Sequence, residues 1–376
     1  MKEIEKYLCL EELMKPKKLE DNPYTLQFSY IPPQFIERLS LSSEIISNYT
    51  RDVPTYRGMF ISGIRGSGKT VLMGYIRKKI AEYKNWITVD INPESDILRS
   101  LASSLYLIPS IKNLFVKAKL DFSILGIGVS VEKANLVASN EEDAVKMMLD
   151  VLKREKKKIL ITIDEVTYNE DISKFSHAMS SYANVGYDIY VLMTGLIENI
   201  KEIKNKKSLT FLYRAKVKEL DNLNLLAISN NYKSTLGINE DEADVLARES
   251  KGYSLAFQAL GYHYWNDICN HNGIAQFDRV RDELYVTLSE LSYEKIWEEL
   301  SFQDKNVVSE MCRIIERTGN NAVKIDDIRN GLNKTSNTFN TYRKRLIEKG
   351  IVVSSQYGYL EFTLPGFGRF VKLQSC

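Results

Sequence analysis

Eight residues constrain this chain more than any other stretch. Gly63-Ile64-Arg65-Gly66-Ser67-Gly68-Lys69-Thr70 fits the spacing G-x-x-x-x-G-K-[S/T], just after an apolar run and just before a helix-like one. Glycines at 63, 66 and 68 let the backbone curl so that consecutive N–H groups point inward. The helix opening near Lys69 turns its positive dipole end to the same place. Such a loop is shaped for phosphate: Lys69 supplies a point charge to β- and γ-phosphates, and the Thr70 hydroxyl is placed to ligate Mg²⁺. The candidate phosphate contacts are Gly63, Ile64, Arg65, Gly66, Ser67, Gly68, Lys69, Thr70 and Val71.

A magnesium site of this kind needs a carboxylate at the end of a neighbouring strand. Ile159-Leu-Ile-Thr-Ile-Asp164-Glu165 supplies one, because a mostly apolar run ends in two acids. Asp164 is the candidate metal carboxylate, and Glu165 the candidate base that polarises an attacking water. Thr194, closing the buried run IYVLMTG (189–195), places a hydroxyl to sense the γ-phosphate or hold the lytic water; a turn-initiating Thr-Gly is the other reading. Arg214, in FLYRAKVKEL, is the candidate arginine finger toward its own or a neighbouring subunit's γ-phosphate; a solvated or carboxylate-paired arginine is the alternative.

Around these motifs the pattern is that of an α/β core. Apolar runs at 58–63, 86–91, 158–165, 189–195 and 215–220 alternate with amphipathic stretches at 70–83, 94–106, 140–157 and 171–183, which predicts a parallel sheet covered on both faces. A two-residue alternation at 119–133, around Gly126 and Gly128, reads as an inserted hairpin. Residues 1–57 read as a leader in which Pro23, Pro32 and Pro33 favour an extended segment laid over a domain. Residues 221–300 carry only helical patterns. Residues 301–376 read as three helices followed by a hairpin, the order of a winged helix-turn-helix.

Composition narrows the partners. The chain has 376 residues and a formal charge of +2, so no field of the whole molecule drives binding to an anionic surface. The charge is polarised, however, because residues 301–376 hold twelve basic and seven acidic side chains. The candidate recognition helix, Thr335 to Arg345, offers Asn337, Arg343, Lys344 and Arg345 to duplex DNA and turns Phe339, Tyr342 and Leu346 inward. A winged helix used for protein contacts stays open as the alternative. Cys9, Cys269, Cys312 and Cys376 are scattered and read as free thiols. The N-terminus lacks the apolar core of a signal peptide and no run is long enough to cross a bilayer, so no membrane partner is expected and the expected location is cytoplasmic.

Together GIRGSGKT, LITIDE, the strand ending in MTG, RAKVKEL, the helical segment and the terminal winged helix resemble the AAA+-related ATPases close to the origin-recognition ATPases and the archaeal and bacterial branch of STAND NTPases. The resemblance spans residues 23–376. It implies an AAA+-like P-loop NTPase core, a helical lid and a C-terminal winged helix. It further implies ATP with Mg²⁺ as ligands, ATP hydrolysis that the lid's departures described below are expected to slow, a homo-oligomer, and duplex DNA as a partner. The STAND alternative is a signalling or scaffold ATPase whose nucleotide state gates a protein contact. The leader segment Pro32 to Arg38 would lie near the adenine, with Ile36 as its ring contact. The lid departs from both patterns: Gly252-Tyr253-Ser254-Leu255 has neither the AAA+ arginine nor the STAND proline.

Overall fold

The computed structural model describes residues 21–27, 31–127, 134, 136–271 and 274–374. Along the chain, α1 (Leu39–Thr50) leads into β1 (Gly58–Ser62), α2 (Lys69–Ala81) and β2 (Trp86–Ile91). Helices α3 (Ile97–Leu107) and α4 (Pro109–Lys117) precede two short strands, β3 (Leu120–Asp121) and β4 (Leu136–Val137). The alternation resumes with α5 (Glu141–Arg154), β5 (Lys158–Ile163), α6 (Glu170–Val185) and β6 (Ile189–Gly195). It closes through α7 (Ile197–Asn205), α8 (Thr210–Arg214) and β7 (Lys216–Glu219).

The five longer strands pair in parallel in the order β2-β5-β6-β1-β7. Strand residues alternate between two cores, as the period of two requires. Phe60, Ile159, Ile161, Ile163, Val191 and Met193 face α3, α5 and α6. Met59, Ile61, Leu160, Tyr190 and Leu192 face α1 and α2. This is a parallel sheet covered by helices on both faces, as the sequence pattern predicts. Because β6 lies between β1 and β5, the carboxyl ends of these three strands open onto one shared edge.

The next stretch is helical: α9 (Leu225–Leu236), α10 (Glu240–Ser250), α11 (Ser254–Asn270) and α12 (Phe277–Leu288) run into a π-helical turn (Ser289–Tyr293) and α13 (Glu294–Glu298). Then come α14 (Phe302–Thr318), β8 (Val323–Lys324), α15 (Ile325–Gly331), α16 (Ser336–Glu348), β9 (Val352–Val353), β10 (Tyr359–Phe362) and α17 (Phe367–Gln374). Strand β10 pairs antiparallel with β9 and β8, so three helices and a β-pair follow in winged-helix order. The terminal helix α17 was not expected; its Phe367, Phe370 and Val371 are buried. One continuous apolar core joins α9 through α17.

Two expectations need correction. The inserted hairpin does not form among the described residues: Leu120–Asp121 pair in parallel with Leu136–Val137, and Ser123–Leu125 make a 3₁₀ turn ending at Gly126, whose φ is +69°. Phe122 is buried against Phe115 and Tyr106, which draws this alternating segment into the core; Gly128 and residues 129–133 of the expected hairpin lie outside the described residues. The leader is not extended throughout, because α1 begins six residues beyond Pro33, where Ile45 and Tyr49 repeat at helical spacing and pack under the sheet. Residues 197–214, between β6 and β7, form α7 and α8.

Residues 21–27 strap across α11. Tyr24 is fully buried, donates to Asn231 Oδ1 at 2.8 Å, and lies over Gly261, where a Cβ would come within 2.4 Å of the ring. Its ring centroid is 5.7 Å from that of Phe257. Tyr24→Ala should therefore lower the unfolding free energy by about 3–5 kcal/mol, the usual cost of deleting a large buried ring, as read by urea denaturation. A loss below about 1 kcal/mol would mean that the strap is not held there.

Candidate nucleotide site and C-terminal face

Asp164 lies at the carboxyl end of β5, and both of its oxygens are engaged. Oδ2 accepts from the Thr70 hydroxyl at 2.7 Å and Oδ1 from the Thr194 hydroxyl. Thr194 is fully buried on β6, in register with Ile61 of β1. Its oxygen also accepts from the Glu165 N–H at 3.1 Å. The arrangement turns Glu165 into left-handed backbone, φ +50°, uncommon for a non-glycine residue. Its side chain reaches into a cavity of about 840 Å³ that Lys69, Thr70, Asp164 and Arg77 also line.

The loop from Gly63 to Gly68 is curled as its glycines require: Gly66 has φ +72° and Gly68 has φ +91°. Lys69 folds back, donating to the carbonyls of Gly63 and Ile64 at 3.0 Å each. Burial pushes its ammonium down to about 8, against the opposing pull of Glu165 and Asp164. Arg65 donates from Nε to Glu299 Oε1 at 2.8 Å, and its Nη1 lies 3.5 Å from Glu165 Oε1.

The helical segment closes over this loop through its backbone carbonyls. Tyr253 donates its phenol to Arg65 O at 2.7 Å, the Leu255 N–H donates to Gly66 O at 3.0 Å, and Ser254 donates to Ser67 O at 2.7 Å. Tyr253 also bonds Ser292, inside the π-helical turn, at 2.8 Å. Arg38 joins from the leader, donating to Ser67 O at 2.9 Å, Ser254 Oγ at 3.0 Å and Asp221 O at 3.0 Å. Burial lowers its guanidinium to about 10, with Asp221 opposing.

Most residues singled out from the sequence meet here: Gly63 to Val71, Asp164, Glu165 and Thr194 occupy one strand edge. Ile36 does not line the cavity. It packs against the helical core, and among the described leader residues Thr25, Leu26, Gln27 and Pro32 line the cavity. Arg214 ends α8 at the opposite edge of the sheet, since Lys216 aligns with Met59 and the loop follows Ser62. A strand of this length separates them by about 16 Å, so Arg214 does not reach the site of its own chain. Arg38, Tyr253, Ser254 and Glu299 were missed. The Gly-Tyr-Ser-Leu segment was visible as a departure from the lid pattern, but nothing in the spacing marked it as a clamp.

On the C-terminal face, α16 buries Phe339 and Leu346 and leaves Asn337 and Lys344 exposed. Arg343 donates to Ser354 Oγ at 2.9 Å in the loop between β9 and β10. Arg345 turns inward instead. It grips the fully buried Asp304 through Nε and Nη2, the latter at 2.6 Å, which removes it from the set of free cations. The far end of α16 is tied to α7 by Glu348 to Lys201 at 2.7 Å and by Lys349 to Glu198. No helix among the described residues is long and apolar enough to cross a membrane, and Cys269 and Cys312 are free thiols.

The fold has solved counterparts. The chain is similar to the Walker-type ATPase of Pyrococcus abyssi, with TM-score 0.62 and 14% identity over 94% of this chain and 99% of that one. It is similar to the ORC2 protein of Aeropyrum pernix in its ADPNP-ADP complexes, with TM-score 0.61 and 13% identity over 96% and 97%. The ADP form of that protein gives TM-score 0.52 and 12% identity over 93% and 97%. At these identities the likeness establishes the fold. A family model described as Domain of unknown function (DUF8462) matches residues 290–371. A search of the curated proteins found no match.

The buried Lys69 has a measurable signature. Its amine titrates near 8 in the folded chain against 10.5 ordinarily, so between these values the unfolded chain holds a proton that the folded one has released. Stability contributed by this residue therefore rises with pH across that window, and below it the full cost of the buried charge is present. The difference in unfolding free energy, wild type minus Lys69→Met, should climb by up to about 1.4 kcal/mol per pH unit there. A flat difference from pH 7.5 to 10 would contradict the burial of this charge.

Proposed function

We propose that the chain binds ATP with Mg²⁺ between the loop 63–70 and Asp164, hydrolyses it slowly, and uses nucleotide state to control a basic C-terminal unit that binds duplex DNA. The observation that carries this reading is the convergence of Thr70, Asp164, Thr194 and Glu165 on one cavity with the curled glycine loop. The donor set suits Mg²⁺: the Thr70 hydroxyl and the Asp164 carboxylate are hard oxygen ligands within 2.7 Å of each other. The fold likeness to a Walker-type ATPase, and to a protein solved with ADPNP and ADP, supports adenine nucleotide as the ligand.

In this reading the N–H groups of residues 66–71 and the Lys69 ammonium hold the β- and γ-phosphates. Bound Mg²⁺ neutralises charge on the transferring phosphoryl group. Thr194 orients Asp164 and fixes the Glu165 backbone, and Glu165 accepts a proton from the attacking water. Ser254 and Leu255 stand where an arginine would speed the reaction, which supports slow turnover. Arg214, exposed at the far sheet edge, is assigned to the site of a second copy, so that efficient hydrolysis requires a homo-oligomer. The functional division places leader, core, lid and winged helix at 1–57, 58–220, 221–300 and 301–376.

Glu165→Gln should keep ATP affinity within about twofold and lower turnover at least about 100-fold, measured by calorimetry and phosphate release. Lys69→Ala should abolish binding. Retained turnover in the first variant, or retained binding in the second, would overturn the assigned roles.

For DNA, the α16 cations with no ion pair among the described residues are Arg343 and Lys344, with Asn337 on the same helix. Neutralising both cations should reduce the slope of log affinity against log salt by about two and weaken binding to all sequences. Arg345→Ala should instead destabilise the fold by about 3–5 kcal/mol, because it strands the buried Asp304. Absence of any salt-dependent DNA binding in the wild type would favour a protein partner for this face.

A further inference from the structure

Arg65 stands in the wall between two cavities. On one side it lines the nucleotide cavity with Lys69, Thr70 and Glu165. On the other it lines a cleft of about 340 Å³ against the C-terminal unit, where Glu299 lies. Its guanidinium is divided accordingly: Nε and Nη2 contact Glu299 at 2.8 and 2.7 Å, and Nη1 faces Glu165 at 3.5 Å. Both Arg65 and Glu299 are only about one-third exposed. The Arg65 carbonyl is separately held by Tyr253, so the side chain can move while the loop stays in place.

Glu299 is placed to report such a movement. It follows α13 directly, and α13 continues the π-helical turn whose Ser292 bonds Tyr253. A π-turn inside a helix is rare and frequently marks a functional site. Leu291 and Lys295, on the same stretch, line the nucleotide cavity. Two residues beyond Glu299, Ser301 caps α14, and Ser301 and Asp304 together hold Arg345 of α16.

Resting on the ATP reading above, we propose that Glu299 is a positioning residue that holds Arg65 back from the nucleotide, and that a γ-phosphate competes with Glu299 for this guanidinium. A diphosphate, lacking that group, leaves the ion pair intact. Triphosphate and diphosphate therefore differ in whether the phosphate loop stays latched to the C-terminal unit. The Arg65–Glu299 pair then taxes triphosphate binding and sets the ratio of ATP to ADP affinity.

The test is nucleotide affinity of the full chain, measured with fluorescent ATP and ADP analogues in the presence of Mg²⁺. Glu299→Gln should tighten the triphosphate about fivefold, the factor carried by one partly exposed ion pair, and leave the diphosphate within about twofold. Glu299→Asp, which keeps the charge, should return the ratio toward wild type. In an Arg65→Ala background Glu299→Gln should have no effect on either affinity. A ratio unchanged by Glu299→Gln, or changed equally in the Arg65→Ala background, overturns the latch while leaving the ATP reading intact. Failure of the wild type to bind either nucleotide overturns both.

Discussion

The carboxylate of Asp164 is the point on which the site depends, because it is shared by hydroxyls from two neighbouring elements. Thr70 on the first turn of α2 occupies one oxygen and Thr194 near the end of β6 the other. A carboxylate has enough lone pairs for both, and each bond is of the charge-assisted kind. The result is that β5, β6 and the β1–α2 junction are fixed relative to one another before any ligand arrives. Thr194 adds the Glu165 N–H to the same node. Removing the middle strand, or exchanging β6 with β5 in the sheet, would leave the hydroxyl with nothing to bridge.

Around that node the phosphate loop is held from outside. Its carbonyls at 65, 66 and 67 would be costly to bury unpaired. The start of α11 satisfies all three, and Arg38 doubles the bond at Ser67. The inward N–H groups are thereby left to a ligand. Each bond contributes about 1 kcal/mol net, and because they break only if α11 lifts, their effect is collective. The helical segment is thus part of the loop's conformation and not a separate cover. The same segment passes through the π-turn to Glu299, so the elements that shape the loop also carry its link to the C-terminal unit.

How much of this was readable from the sequence followed the range of the interactions involved. Strands β1, β5 and β6 announced themselves because a strand buried on both faces is an unbroken apolar run, and the glycine loop because its backbone conformation demands glycine at fixed positions. Asp164 and Glu165 were legible as acids ending such a run. Arg345 misled, since adjacency to Arg343 and Lys344 suggested one basic face. A residue directly before the buried Leu346 borders the inner stripe of the helix, and the buried carboxylate that claims it lies 41 residues earlier. Ile36 misled for a related reason: the leader does reach the cavity, but through Thr25 to Gln27 and Pro32, and no local pattern says which turn of an irregular segment faces inward. Arg38 and Glu299 were invisible because their partners are distant carbonyls and a loop arginine.

Internal ion pairing changes what the polarised charge of the C-terminal unit means. Of its twelve basic residues, Arg313, Arg329, Arg345, Lys349, Arg369 and Lys372 are engaged in ion pairs. Lys305, Arg317, Lys324, Lys334, Arg343 and Lys344 have none among the described residues. Of the acids, Asp327 alone is likewise unpaired among them. The formal surplus is therefore delivered almost entirely by cations that are not internally neutralised, spread from Lys305 to Lys344 and including the exposed side of α16. A polyanion docking there releases at most about six counterions, which bounds the steepness of its salt dependence. The paired cations serve the fold instead: Arg345 fixes α16 to α14, and Lys349 fixes α16 to α7, so the helix that carries Arg343 and Lys344 is tied to the helix that follows β6.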